Sequence, residues 1–141
     1  MTDIFLLTQE ASPQVRSAVV ALWEACGLTR EWNPPERDLS DALAGATSTV
    51  LVAVADGAVV GTVLAGFDGH RAWLYYLAVA PEHRGTGLAR ELVTTAEGWL
   101  RRQGARKVQL MVRAGSEAQG LYPHLGYERQ DVAVYGRWLE N

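Results

Sequence analysis

The chain has 141 residues, of which 48% are hydrophobic and 21% charged, and its formal net charge is −3. This balance predicts one globular domain over residues 1–141 and excludes a disordered or fibrous protein. No basic cluster or long apolar stretch is present, so neither a nucleic-acid nor a membrane partner is expected. The first residues lack the pattern of a signal peptide, and a cytoplasmic protein with one buried structural thiol, Cys26, is expected.

The first half of the sequence predicts a strand, two helices and a three-stranded meander. Residues 4–7 predict the first strand, and Ser12 followed by Pro13 is typical of a helix start. That helix is expected to end at Gly27, and a short helix is expected from about Asp38 to residue 44. Strands are expected over residues 49–55, 59–67 and 72–79, because Asp-Gly turn signals separate three β-rich runs.

The second half predicts a long helix and further strands. The helix opens at about Gly87, carries apolar residues at helical spacing and ends before Gly104. A strand over residues 108–112 follows, then a short helix over 116–125, and residues 127–139 predict two strands or one bent strand. The order predicts an α/β fold: a mixed, mostly antiparallel sheet of six or seven strands with helices on both faces.

A glycine-bearing turn joins the strand at residues 75–79 to the long helix. The first N–H groups of a helix lack internal partners and favour an anion, and glycines let a phosphate approach them. Glycine also occurs in tight turns for purely steric reasons, so the turn alone does not distinguish a phosphate-binding site from an ordinary turn. Arg90 stands where a dinucleotide-binding fingerprint needs its third glycine, and the triplet of a P-loop is absent.

Two segments resemble one family. Arg84-x-x-Gly87-x-Ala89 resembles the Q/R-x-x-G-x-G/A signature of the GNAT superfamily of acyl-CoA-dependent N-acyltransferases. Residues 118–127 resemble the A-x-x-L-Y-x-x-x-G-F/Y segment of the same family. The loops at residues 30–38 and 68–71, with residues 75–77, are similar to its small bacterial YpeA-type branch, whose substrates are little defined.

The resemblance implies that acetyl-CoA is the co-substrate and that no metal takes part. It implies a bulge in the strand at residues 75–79, which splays that strand from the one at 108–112, with pantetheine in the gap. The residues that it assigns to coenzyme A are Leu77, Val79, Arg84, Gly85, Thr86, Gly87, Leu88 and Ala89.

Tyr122 is the catalytic residue that the resemblance implies. In the family this tyrosine commonly protonates the departing sulfur of coenzyme A, and a phenol that is neutral at pH 7 can donate that proton. An isolated tyrosine would favour the alternative of a packing residue whose hydroxyl has found a partner, whereas the motif around Tyr122 favours catalysis. Gly115 stands where many relatives have an asparagine, with Ser116 as a substitute helix cap.

The loop between the first two helices is the candidate acceptor site. By resemblance, Arg30, Trp32 and Asn33 bind the acceptor together with Tyr76. Trp32 is alternatively a loop anchor, and Asp38 is alternatively only the N-cap of the short helix. Many relatives have a glutamate base where this chain has Tyr75 and Tyr76, so a water or a loop carboxylate has to relay the proton and the base is unassigned.

The sequence therefore predicts an N-acetyltransferase that moves the acetyl group of acetyl-CoA to a primary amine of a small molecule, protein or peptide. Direct attack within a ternary complex is expected, in a monomer or homodimer. The alternative is a non-catalytic acyl-CoA-binding sensor or scaffold, for which the missing glutamate is the only hint.

Overall fold

The computed structural model describes residues 2–140. They form two compact units, one up to Met111 and one from Val112 onwards. The single domain expected from the sequence stays a prediction. None of the helices within residues 2–140 has the length and apolar character needed to cross a membrane.

The first unit contains a five-stranded sheet and three helices. Its elements are β1 (Thr2–Leu6), α1 (Pro13–Ala25), α2 (Pro35–Ala44), β2 (Ser48–Ala55), β3 (Ala58–Phe67), β4 (Ala72–Val79), α3 (Leu88–Gln103) and β5 (Val108–Leu110). The strands lie in the order β1-β2-β3-β4-β5. The first three pairs are antiparallel and β4–β5 is parallel, which confirms the mixed, mostly antiparallel sheet.

The helix ends follow local chemistry. Ser12 Oγ accepts a hydrogen bond from the N–H of Val15 at 3.2 Å and caps α1 as expected. Helix α2 begins at Pro35, three residues before the expected start, and its N-cap is Pro34. The fixed φ of a proline suits the first helical position, which explains the earlier start. Asp38 therefore lies in the first turn of α2, and its interpretation as the N-cap is wrong.

Two consecutive residues of β3 show that helices cover both faces of the sheet. Neighbouring residues of a strand point to opposite faces. A Cβ at Gly61 would lie 2.9 Å from Leu92 Cδ1 of α3. The side chain of Thr62 instead contacts Trp23 of α1. Helices α1 and α3 thus pack on opposite faces, as the sequence predicted.

Strand β4 carries the bulge expected from the sequence. Thr62 of β3 pairs with Ala78, whereas Leu64 pairs with Tyr75. Three steps along β4 therefore match two along β3, and Tyr76 has a φ of 52°. The parallel pairing with β5 stops at Leu74 and Leu110, so β5 is two residues shorter than predicted. Residues 75–79 extend past that pairing, and the expected splay stays a prediction.

The second unit contains a 3₁₀ turn, Glu117–Gly120, and helix α4, Leu121–His124. Ser116 Oγ accepts a hydrogen bond from the N–H of Ala118 at 3.1 Å, so the expected substitute cap is confirmed. No strand is assigned over residues 127–140, and the described sheet has five strands, not six or seven. The apolar side chains of this segment are exposed, Tyr135 by 94% and Leu139 by 93%, so they do not form the buried face that stabilises a strand.

Packing of α3 on the sheet is testable with one truncation. Leu92 is fully buried, and Leu92→Ala should lower the free energy of unfolding by about 2–5 kcal/mol, because a cavity is left against the sheet. Thr94→Ala, on the exposed face of the same helix, is the matched control and should change it by less than about 0.5 kcal/mol. Urea denaturation measures both values. Equal stability of the two variants would contradict the packing described for α3.

Candidate active site

The bulge of β4 is held by a buried hydrogen-bond chain. The indole Nε1 of Trp23 donates to Thr62 Oγ1 at 2.9 Å. The same hydroxyl donates to the backbone carbonyl of Tyr76, also at 2.9 Å. A left-handed conformation costs a non-glycine residue about 1–2 kcal/mol. Two buried hydrogen bonds of about 0.5–1.5 kcal/mol each are enough to offset that cost.

The side chain of Tyr76 connects the bulge to the first turn of α2. Its ring stacks on that of Trp23, with 3.8 Å between centroids and an interplanar angle of 11°. Its hydroxyl donates to Asp38 Oδ2 at 2.6 Å, and Asn33 Nδ2 donates to the same oxygen at 2.6 Å. Burial raises the pKa of the Tyr76 phenol, and the hydrogen bond to the Asp38 carboxylate raises it further, so the phenol keeps its proton.

The predicted acceptor loop is ordered by its own hydrogen bonds. Arg30 Nη1 donates to the carbonyls of Gly27 at 3.0 Å and Thr29 at 2.7 Å, so this guanidinium holds the loop in place. Asn33 belongs to the cluster with Tyr76 and Asp38. Trp32 lies between Arg30 and Asn33 in the sequence. It is 61% exposed and so is available to a partner molecule.

The glycine turn before α3 has the conformation that the sequence indicated. Gly85 and Gly87 have φ values of 75° and 86°. Gly87 is the N-cap of α3, and no side chain caps this helix. The N–H groups of its first residues, Leu88 and Ala89, therefore have no intrahelical partner. A Cβ at Gly85 or Gly87 would meet nothing within 4 Å, so the space in front of these amides is open.

Arg84 ties this turn to the end of β4. Its Nε donates to the carbonyl of Val79 at 3.1 Å, and its Nη2 lies 3.7 Å from Cys26 Sγ. The Cys26 thiol donates to the same carbonyl at 3.6 Å. The arginine predicted to bind phosphate thus also has a structural role. In the same turn, Thr86 Oγ1 donates to the carbonyl of His83 at 2.6 Å.

Within the described residues, one edge of β4 has no assigned partner strand beyond Leu74, and on this edge the carbonyl of Val79 is already hydrogen-bonded to Arg84 and Cys26. The N–H of Ala80 donates to the carbonyl of Val60 on β3 at 2.8 Å. Because successive residues of a strand direct their backbone groups to opposite edges, those of Val79 face away from β3. Beyond Leu74 the structure assigns no pairing of β4 with β5. The edge that carries Leu77 and Val79 is followed along the chain by the uncapped start of α3.

This arrangement fits coenzyme A. An extended amide chain pairs with a strand edge, and a pyrophosphate binds at a helix N-terminus. The sequence places both features within 13 residues, from Leu77 to Ala89. Within the part of the chain that the structure describes, no group of three His, Cys, Asp or Glu side chains is arranged to hold a metal ion.

Tyr122 belongs to the second unit and is half-buried there. Its ring makes an edge contact with Tyr127, with centroids 6.2 Å apart and an interplanar angle of 66°. Burial raises the pKa of the Tyr122 phenol above its ordinary value of 10.0. A proton donor at neutral pH needs this protonated state.

The sequence interpretation missed Thr62, Trp23 and the contact between Arg84 and Cys26. Thr62 had a signal, since it is a polar residue in the middle of a strand made of Val, Leu, Ala and Gly. Trp23 had one too, because a buried indole N–H needs an acceptor. That these two residues meet each other and Tyr76 depends on three separate elements.

Comparisons with known proteins agree with this geometry. The model of the acetyltransferase (GNAT) family matches residues 16–127. An acetyltransferase of Yersinia enterocolitica is 43% identical over 122 residues, which cover 86% of this chain and 86% of that protein.

Among solved structures, AAC(6')-Iy in complex with the bisubstrate analogue CoA-S-monomethyl-acetylneamine superposes with a TM-score of 0.81 at 18% identity, covering 98% of each chain. A ribosomal-protein-alanine N-acetyltransferase from Brucella melitensis has a TM-score of 0.75 at 20% identity, covering 98% of this chain and all of that one (100%). At these identities the solved structures establish the fold. With the family match and the Yersinia relative, they lead to one conclusion: the chain belongs to the GNAT family of acetyltransferases and is an acyltransferase.

Proposed function

We propose that this acetyltransferase moves the acetyl group of acetyl-CoA to a primary amine of a small molecule, protein or peptide, by direct attack in a ternary complex. The observation that carries the proposal is the continuous segment from Leu77 to Ala89. It combines a strand edge with no assigned partner strand among the described residues, a bulge and an open glycine turn at an uncapped helix start. These features match the amide chain, the acyl group and the pyrophosphate of one ligand.

The chemistry needs positioning more than reactive side chains. A neutral amine nitrogen forms a bond to the thioester carbonyl carbon and gives up one of its protons to water. The C–S bond breaks, and the sulfur leaves as a thiolate that takes up a proton. Backbone N–H groups at the bulge of β4 stabilise the oxyanion formed on the carbonyl oxygen. Tyr122 supplies the proton to the sulfur, a role supported by the motif around it and by its raised pKa.

Acceptor choice is assigned to the loop that contains Arg30, Trp32 and Asn33, together with Tyr76. Arg30 and Asn33 hold the loop, and the exposed Trp32 offers an aromatic surface. The hydrogen bond from Tyr76 to Asp38 connects this loop region to β4. The names of the similar proteins include both an aminoglycoside acetyltransferase and an enzyme for a ribosomal protein, so we propose an amine acceptor in general terms.

The glycine turn is tested with a pair of matched variants. Gly87→Ala and Gly104→Ala each place a side chain at positive φ, one at either end of α3, so both should destabilise the fold by about 1–2 kcal/mol. Only Gly87→Ala should weaken acetyl-CoA binding, by about tenfold or more, because its side chain lies where phosphate approaches the amides. Isothermal titration calorimetry gives both dissociation constants. Equal affinity of the two folded variants would refute this binding site.

The acceptor loop is tested with Trp32→Ala. The acceptor KM should rise by about tenfold or more, equal to roughly 1.4 kcal/mol of lost binding, while the Kd for acetyl-CoA stays nearly unchanged. Phe5→Ala removes another exposed aromatic side chain, which is 46% exposed. Phe5 lies on β1, at the edge of the sheet farthest from β5. This control should leave both constants unchanged. A large loss of acetyl-CoA affinity in Trp32→Ala would place the loop in the cofactor site.

Tyr122→Phe tests the general acid. The ring and its contact with Tyr127 are kept, so stability and acetyl-CoA affinity should barely change, whereas kcat should fall by roughly two to four powers of ten. Because the pKa of Tyr122 is raised, the wild-type kcat should not fall through its deprotonation below pH 10.0. Tyr127→Phe is the matched control. With chemistry rate-limiting, a fall in kcat of less than about threefold would make Tyr122 a packing residue.

A further inference from the structure

At the bulge, the buried hydroxyl of Thr62 takes the place of the backbone donor that a regular strand pairing would offer to the carbonyl of Tyr76. Two residues of β4, Tyr76 and Leu77, lie between pairs that only one residue of β3 separates, so the strand ladder leaves a backbone group without its usual partner. The carbonyl of Tyr76 receives its hydrogen bond from Thr62 Oγ1. That side chain is fully buried, at 0% exposure, and its hydroxyl orientation is fixed because it also accepts from Trp23 Nε1.

Tyr76 is also held through its ring and its hydroxyl. Trp23 stacks on the ring, and Asp38 Oδ2 accepts a hydrogen bond from the hydroxyl. Groups from α1, β3 and α2 therefore all contact Tyr76. Its φ of 52° is unfavourable for a residue other than glycine. Without these contacts the extended conformation is preferred, and the peptide group that follows Tyr76 would rotate.

We propose that Thr62, Trp23 and Asp38 are positioning residues for acyl transfer. They hold Tyr76 in the left-handed conformation and so fix the peptide group between Tyr76 and Leu77, on the edge of β4 assigned to the thioester. This inference rests on the proposed function. None of the three residues is assigned a contact with the reacting atoms. They act through the backbone, where a small rotation of a donor removes its stabilisation of the oxyanion.

The experiment compares Thr62→Val with Thr62→Ser. Valine nearly keeps the shape of threonine but leaves both Trp23 Nε1 and the Tyr76 carbonyl without the hydroxyl, whereas serine keeps the hydroxyl and loses only a methyl group. Thr49→Val makes the same exchange at another buried threonine, on β2, and is the control. Crystal structures of the variants give the φ of Tyr76. Steady-state kinetics with the best amine give kcat and KM, and calorimetry gives the Kd for coenzyme A, which lacks the acetyl group.

In Thr62→Val we expect Tyr76 to leave the left-handed region and kcat to fall by about tenfold to a hundredfold, because the reacting groups are misplaced. The Kd of Thr62→Val for coenzyme A should differ from the wild-type value by less than about threefold. The kcat of Thr62→Ser should also lie within about threefold of the wild-type kcat. A folded Thr62→Val with unchanged φ and kcat overturns the proposal. So does a loss of kcat that Thr62→Ser and Thr49→Val share, since this would reflect stability alone.

Two further outcomes are also decisive. If Thr62→Val does not fold, Trp23→Phe replaces it: an aromatic ring is kept beside Tyr76, but the indole donor to the Thr62 hydroxyl is lost. A fall in kcat of more than about threefold with unchanged coenzyme A affinity supports the proposal, and unchanged kcat overturns it. If the wild-type protein transfers no acetyl group to any amine tested, the proposed function fails. The φ of Tyr76 in Thr62→Val then still decides whether Thr62 holds the bulge.

Discussion

A tyrosine in the left-handed backbone conformation, in the middle of β4, is the constraint on which the rest of the site depends. Tyr76 cannot adopt this conformation at low cost, so other parts of the fold have to stabilise it. Thr62 contacts its carbonyl, Trp23 its ring and Asp38 its hydroxyl. The same contacts join α1, the start of α2 and the centre of the sheet. The geometry of the strand edge and the placement of the proposed acceptor loop are therefore linked through one residue.

The end of β4 is held by a separate set of contacts. The carbonyl of Val79 accepts from Arg84 and from Cys26, so the last residue of the strand, the glycine turn and the end of α1 form one connected group. The uncapped start of α3 follows at once. A single segment of chain thus places the edge proposed to bind the thioester and the amides proposed to bind phosphate in a fixed order, and the buried face of α3 anchors it to the sheet.

The sequence predicted the parts of this design that depend on local signals. The bounds of β4 and the caps at Ser12 and Gly104 follow from residue preferences over a few positions, and the structure confirms them. The bulge came from the family resemblance and is also confirmed. The start of α2 was placed too late, because Asp38 looked like a cap and the two prolines before it were assigned to the loop.

The contacts that hold Tyr76 were not predictable from local signals. Tyr76 and Asp38 lie 38 residues apart, and Trp23 and Thr62 lie 39 apart, so only the folded sheet brings them together. The one or two strands expected over residues 127–139 rested on the sequence pattern of that segment alone. Such a pattern gives a strand only where a neighbouring strand and a buried face are available, and the described residues 127–140 have neither.

The most direct measurement of the central claim is release of free thiol from acetyl-CoA by the wild-type protein over a panel of amines. The panel should contain aminoglycosides, polyamines, lysine peptides and peptides with a free N-terminal alanine, with mass spectrometry of the products. The account predicts amine-dependent thiol release with one N-acetylated product formed for each thiol. Tight binding of acetyl-CoA without amine-dependent release across the whole panel would contradict it and identify a binding module.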